Sequence, residues 1–162
     1  MSNFEISMIK DEEFIEDIIR YEDIWDVYGS LNISVNGKKL GFLDNLAFFL
    51  SYFYDSCLAS LPEIYSGKVF KFKSEASYEL VFEPKDDNVT IYLVEENKRH
   101  DDEIDIPFKD FADEVIRSVD EYVDYILDMR PDLRETKRTK KFKNEVEELK
   151  NLYVQCCEKN AT

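Results

Sequence analysis

LNISVNGKKLGF, residues 31–42, is the stretch on which the reading of the fold turns. Leu31, Ile33 and Val35 alternate with Asn32 and Ser34, the period of a strand with one buried face. Asn36-Gly37 follows. Both residue types tolerate positive φ, so the pair predicts a two-residue type I′ turn whose twist matches paired strands. The return strand, Lys38 to Phe42, has to be short, because Gly41 marks a change of direction into a helix.

That helix is expected over about Leu43–Leu61, where Leu43, Leu46, Ala47, Leu50, Phe53, Tyr54, Cys57, Leu58 and Leu61 recur at spacings of three and four. Phe48 and Phe49 widen the stripe, which predicts burial on more than one side. Asp44 in the first turn suits the helix dipole, and Pro62 is read as the stop. Aromatic residues so spaced are core before they are a ligand pocket.

Before the hairpin, Phe4, Ile6 and Met8 alternate with Glu5 and Ser7, a first strand. In DEEFIEDIIRYEDIWD, residues 11–26, Phe14, Ile15, Ile18 and Ile19 line one face of a short helix with acids on the other. After Pro62, three stretches alternate: Phe70–Lys73, Tyr78–Glu83 and Val89–Val94. Pro84–Asn88 is the turn between the last two, so an antiparallel meander is expected. EENKRHDDEID, residues 95–105, reads as a loop. From Phe108 to Met129 the helical period returns, with Phe108, Phe111, Ala112, Val115, Val119, Tyr122, Val123 and Ile126 on one face. Asp110, Asp113, Glu114, Arg117, Asp120, Glu121, Asp124 and Asp128 are expected on the solvent side, and Pro131 ends the helix. Phe142, Val146, Leu149, Tyr153 and Cys156 then form a narrow stripe, suited to one neighbouring helix or a second subunit.

The expected architecture is α+β: one antiparallel sheet of about five strands, hairpin plus meander, packed against two long amphipathic helices, with a C-terminal helix. The chain of 162 residues suits a single domain. Residues 1–133 form its acidic α+β body, and 134–162 the helix that packs on it. The opening MSNFEISMIKDEE is acidic and has neither the positive start nor the apolar stretch of a signal peptide. No apolar run approaches the roughly 18 residues of a membrane helix. A cytoplasmic protein is expected. Three cysteines fit: Cys57 falls in the helical core pattern, and the adjacent Cys156 and Cys157 form no disulfide framework.

Charge is the outstanding property. The net charge is −15, divided as −18 over residues 1–133 and +3 over residues 134–162. Such a field repels nucleic acid and anionic lipid and attracts basic partners. Solubility alone asks for a magnitude of about 2–8 in a small domain. The basic cluster Lys137, Arg138, Lys140, Lys141 and Lys143 carries one interleaved aromatic, Phe142, which also belongs to the apolar stripe. Its expected role is to lie against acids of its own fold or of a second subunit.

Catalytic patterns are missing. There is no G-x-S-x-G elbow, P-loop, Rossmann glycine pattern or H-E-x-x-H. His100 stands alone in a charged stretch, without an orienting partner or nucleophile in the sequence pattern. DDEID, residues 101–105, shares only composition with a calcium loop and has no central glycine. Catalytic carboxylates need burial or a neighbour to shift their pKa, whereas the acids here are expected on the solvent side of every periodic element. No enzyme, cofactor or metal is expected.

The hairpin LNISVNGKKLG feeding an aromatic helix, the short meander, the acidic helix ending in MRPDL and the net charge together resemble the small immunity proteins of bacterial polymorphic-toxin or contact-dependent inhibition systems. The resemblance implies a cytoplasmic binding protein that neutralises a basic toxin domain, expected to be a nuclease, by masking its active cleft. No residue role is carried over from it. The contacts expected from charge and periodicity are Asp113, Asp120, Glu121, Asp124 and Asp128 on the long helix, with Asp101, Asp102 and Glu103 on the adjoining loop. A second contact region is Asp11–Asp26, with Tyr21, Trp25 and Tyr28 as candidate anchors; a lone Trp beside a strand is at least as often core. The alternative function is a non-catalytic structural or regulatory adaptor that dimerises through the C-terminal helix.

Overall fold

A computed structural model describes residues 3–20, 22, 25, 27–41, 43, 46–73 and 77–159. Tyr21 and Asp44 lie outside the described residues, and so does Phe42 at the end of the expected return strand.

The hairpin forms as its sequence predicts. β1 (Phe4–Met8) pairs antiparallel with β3 (Leu31–Val35), from Phe4 opposite Val35 to Met8 opposite Leu31. Asn36 and Gly37 adopt φ of 51° and 82°, and β4 (Lys38–Lys39) returns for two residues. Between β1 and β3 runs α1 (Glu12–Arg20), capped by Asp11, whose Oδ1 accepts the Phe14 amide at 2.9 Å. Phe14 and Ile18 face the core, while Ile19 is exposed. β2 (Tyr28–Gly29) pairs with β5 (Phe48–Phe49) in a separate two-stranded ladder.

The helix expected over Leu43–Leu61 is displaced at both ends: α2 runs Leu50–Tyr65. At the start, Phe48 and Phe49 are taken by the ladder with Tyr28–Gly29, and a backbone ladder outweighs a helical pattern that nothing caps. At the end, Pro62 does not stop the helix. It removes one hydrogen bond, but the turn beyond it closes in a Schellman arrangement: Gly67 N donates to Ile64 O and Lys68 N to Glu63 O, both at 2.9 Å, with Gly67 at φ 87°.

The meander has four strands, not three. β6 (Phe70–Lys73), β7 (Tyr78–Lys85), β8 (Asn88–Glu95) and β9 (Lys98–Pro107) pair in that order, all antiparallel. β7 runs through Pro84, because β6 reaches no further than Phe70 opposite Phe82 and leaves that side of Pro84 unpaired. The loop expected over residues 95–105 is a tight turn at Glu96-Asn97 (φ 50° and 64°) followed by β9. Its first half, KRHDDE, has little to bury on either face, so no apolar alternation marked it. As an edge strand it carries charges that discourage further pairing.

A single five-stranded sheet is therefore corrected to sheets of three, two and four strands. The short β4 meets β9 through a side chain rather than a ladder: Asp102 Oδ2 accepts the Gly41 amide at 2.8 Å, with Lys38 Nζ 3.9 Å from the same carboxylate.

α3 (Phe108–Met129) spans the expected residues and runs through the centre of the molecule. Phe111, Val115, Val119, Tyr122 and Ile126 are fully buried against β1, α2 and the meander. A 3-10 turn (Pro131–Leu133) leads to α4 (Lys137–Lys159), which packs on α2 and buries Phe142 and Val146. Leu149 and Tyr153 pack at the margin of the same core, so the narrow stripe has a neighbour within the chain. Where the three helices meet, Trp25 stacks on Phe142 at 4.7 Å and Tyr54 on Tyr122 at 4.8 Å.

Candidate binding surface: an acidic helix row and an aromatic-walled pocket

Because α3 has neighbours on most sides, it leaves a narrow exposed row: Asp113, Arg117, Asp120, Asp124 and Asp128, each three or four residues from the next. Several acids on or beside this row already have bases of their own. Lys150 of α4 binds Asp120, Arg134 Nη2 lies 3.1 Å from Asp128, and Arg117 and Lys10 flank Glu121. Exposed ion pairs of this kind contribute little, at most about 1 kcal/mol, so an incoming base can exchange with them. Among the described residues, Asp113 and Asp124 have no hydrogen bond or ion pair.

The row has an acidic neighbour. α1 lies alongside the C-terminal half of α3, with Phe14 stacked on Tyr125 and the Arg130 guanidinium donating to Ile18 O at 2.9 Å. The acids of Asp11–Asp17 thus come beside those of Asp120–Asp128, although sequence alone held them as rival regions. Asp101, Asp102 and Glu103 are not part of this grouping. They sit on β9, five to seven residues of strand, or about 17–24 Å, before α3 begins. Asp102 is tied to the hairpin, and Glu103 binds Arg99 at 3.0 Å.

One sequence alternative is settled here and one expectation fails. Trp25 is not an exposed anchor: it is 2% exposed, and its Nε1 donates to the buried Thr139 Oγ1 at 2.9 Å. Tyr28, by contrast, is 43% exposed. Nor do all acids face solvent. Glu114 is 8% exposed and accepts the Ile6 amide at 2.7 Å and Arg117 Nη2 at 2.7 Å, while Arg117 also donates to Ile6 O at 3.3 Å. The Glu114–Arg117 pair therefore satisfies both polar groups of Ile6 on the outer edge of β1, as a further strand would.

A second inward acid was not distinguished in the sequence. Asp55 of α2 lines a pocket of about 400 Å³ closed on its far side by Arg138 and Glu145 of α4. Trp25, Phe49, Tyr52 and Phe142 supply aromatic walls. Asp55 Oδ1 is buried without a hydrogen-bond partner. Burial, and then the charge of Glu145, push the Asp55 carboxyl up from 3.8 to about 7, against the pull of Arg138. The only sequence signal was an acid at the edge of an aromatic stripe, and its facing partners lie more than 80 positions away.

Cys57 is buried, and burial raises its thiol pKa; Cys156 and Cys157 are half-buried and form no disulfide. His100 Nε2 lies 3.2 Å from Glu95 on the exposed start of β9. No group of three potential metal ligands converges, and no helix is long and apolar enough to cross a membrane, among the described residues. Comparison with protein-family models, curated proteins and solved structures finds no match to this chain.

Proposed function

We propose that this chain is a non-catalytic, cytoplasmic binding protein that neutralises a basic bacterial toxin domain of the nuclease class by laying an acidic surface over its active cleft. One observation carries the reading: the exposed row Asp113, Asp120, Asp124 and Asp128 on α3, flanked by the acids of α1, on a chain of net charge −15. A nuclease cleft is basic because it holds phosphates. A rigid acidic helix row complements it, and complementary charge raises the association rate. The test uses the protein as bait in lysate of its own organism at low and high salt. A basic protein should be captured, with slower association at high salt, and its nuclease activity should vanish on adding this chain. Asp120→Lys, Asp124→Lys and Asp128→Lys together should abolish capture. Unchanged capture by the triple variant would rule out this face.

A dimerising adaptor remains a second reading because Leu152 and Val154 are exposed on α4. Light scattering that gives a dimer, converted to monomer by Leu152→Asp, would favour it.

A further inference from the structure

We infer that the pocket between α2 and α4 receives an arginine side chain of the basic partner. This deepens the proposed function and rests on it. The volume, about 400 Å³, lies within the range of small-ligand sites and admits a guanidinium with its stem. Asp55 and Glu145 face the space from opposite helices, and once Asp55 ionises, above about pH 7, they outnumber Arg138 by one negative charge. Asp55 Oδ1 is an acceptor withdrawn from water and given no donor by the fold. A guanidinium supplies planar donors in a fork that suits a carboxylate.

The walls suit the same group. Phe49 and Tyr52 line the space, and aromatic rings are surfaces on which a guanidinium stacks. Tyr52 is 57% exposed, and Tyr28, whose ring centroid is 3.9 Å from that of Phe49, is 43% exposed. Exposed tyrosines around a pocket are the composition of an interface anchor, where Tyr, Trp and Arg are enriched. Arg138 offsets one of the two carboxylates, so a neutral or anionic occupant would leave the other without a counter-charge.

Trp25, the single tryptophan, lines the pocket and reports on it. Acetyl-arginine amide titrated at pH 8 should change its fluorescence saturably, and the neutral isostere acetyl-citrulline amide should not. Binding should weaken about tenfold or more in Asp55→Asn, the loss of a charge-assisted hydrogen bond. Glu145→Gln, on the opposite helix, provides an independent variant; circular dichroism checks that both fold. No saturable response to the arginine probe, an equal response to citrulline, or undiminished binding in both variants would overturn the inference. The captured partner separates the two proposals. Equal affinity of the partner for wild type, Asp55→Asn and Glu145→Gln overturns the pocket's role and leaves the acidic-row reading standing. Arginine-probe binding without any basic partner retains an arginine site and overturns the function on which its docking role rests.

Discussion

Asp55 and Glu114 are two inward carboxylates with opposite consequences. Asp55 holds its proton to about pH 7 in the folded chain, whereas the unfolded chain releases it near 3.8. The folded state therefore binds more protons between those values, and stability from this group falls as pH rises from about 4 to about 7, then levels. Asp55→Asn should flatten that slope. It should make the protein more stable above pH 7 by on the order of 1 kcal/mol, a figure discounted because the group is partly solvated. Urea midpoints at pH 5 and pH 8 measure this, and parallel shifts in both proteins would refute it. Glu114 has partners for its charge. Glu114→Ala strands the Ile6 amide, while Arg117 keeps Glu121, an expected loss of about 1–3 kcal/mol in urea unfolding. Glu114→Gln keeps an acceptor for Ile6 and should cost less.

At the scale of elements, local chemistry identified the hairpin and α3, while boundaries elsewhere depended on neighbours. Asn36-Gly37 determines its turn through its own φ angles, and α3 shows its period because one face is buried along its whole length. α2 ends at Tyr65, just before Gly67, rather than at Pro62, since the carbonyls of the last turn are satisfied only once a residue at positive φ turns the chain back. Gly67→Ala should therefore lower stability by about 1 kcal/mol, read as a fall in Tm, and Gly67→Asn by less. β9 escaped notice because its first six residues, Lys98–Glu103, bury neither face and so have no alternation to show. Its charges serve the fold by their sign. Replacing Arg99, Asp101 and Glu103 with Thr should leave the monomer folded but promote concentration-dependent association, visible by light scattering.

At the scale of the whole molecule, charge acts through its distribution. The −18 of residues 1–133 is locally offset where Lys150 and Arg134 meet Asp120 and Asp128. These two bases, one before α4 and one in its second half, trim the acidic field without erasing it. Raising salt from about 0.05 M to 0.5 M should slow association with a basic partner far more than it speeds dissociation, because screening acts on the approach. Stopped-flow rates at the two salts test this, and a salt-independent association rate would contradict an electrostatic role for α3.

The sequence by itself determined the α+β class, the hairpin, the limits of α3 and the acidic row, because each rests on residues near one another along the chain. Periodicity records which side of an element meets water. Only the tertiary structure decided that the strands divide into three sheets, that Glu114 turns inward to seal β1, that Trp25 belongs to the core, and that Asp55 meets Glu145 and Arg138 across a pocket. Those outcomes depend on which surfaces of distant elements come into contact. Burial of a polar group is settled by its partners, and the partners here lie 83–114 positions away in the chain.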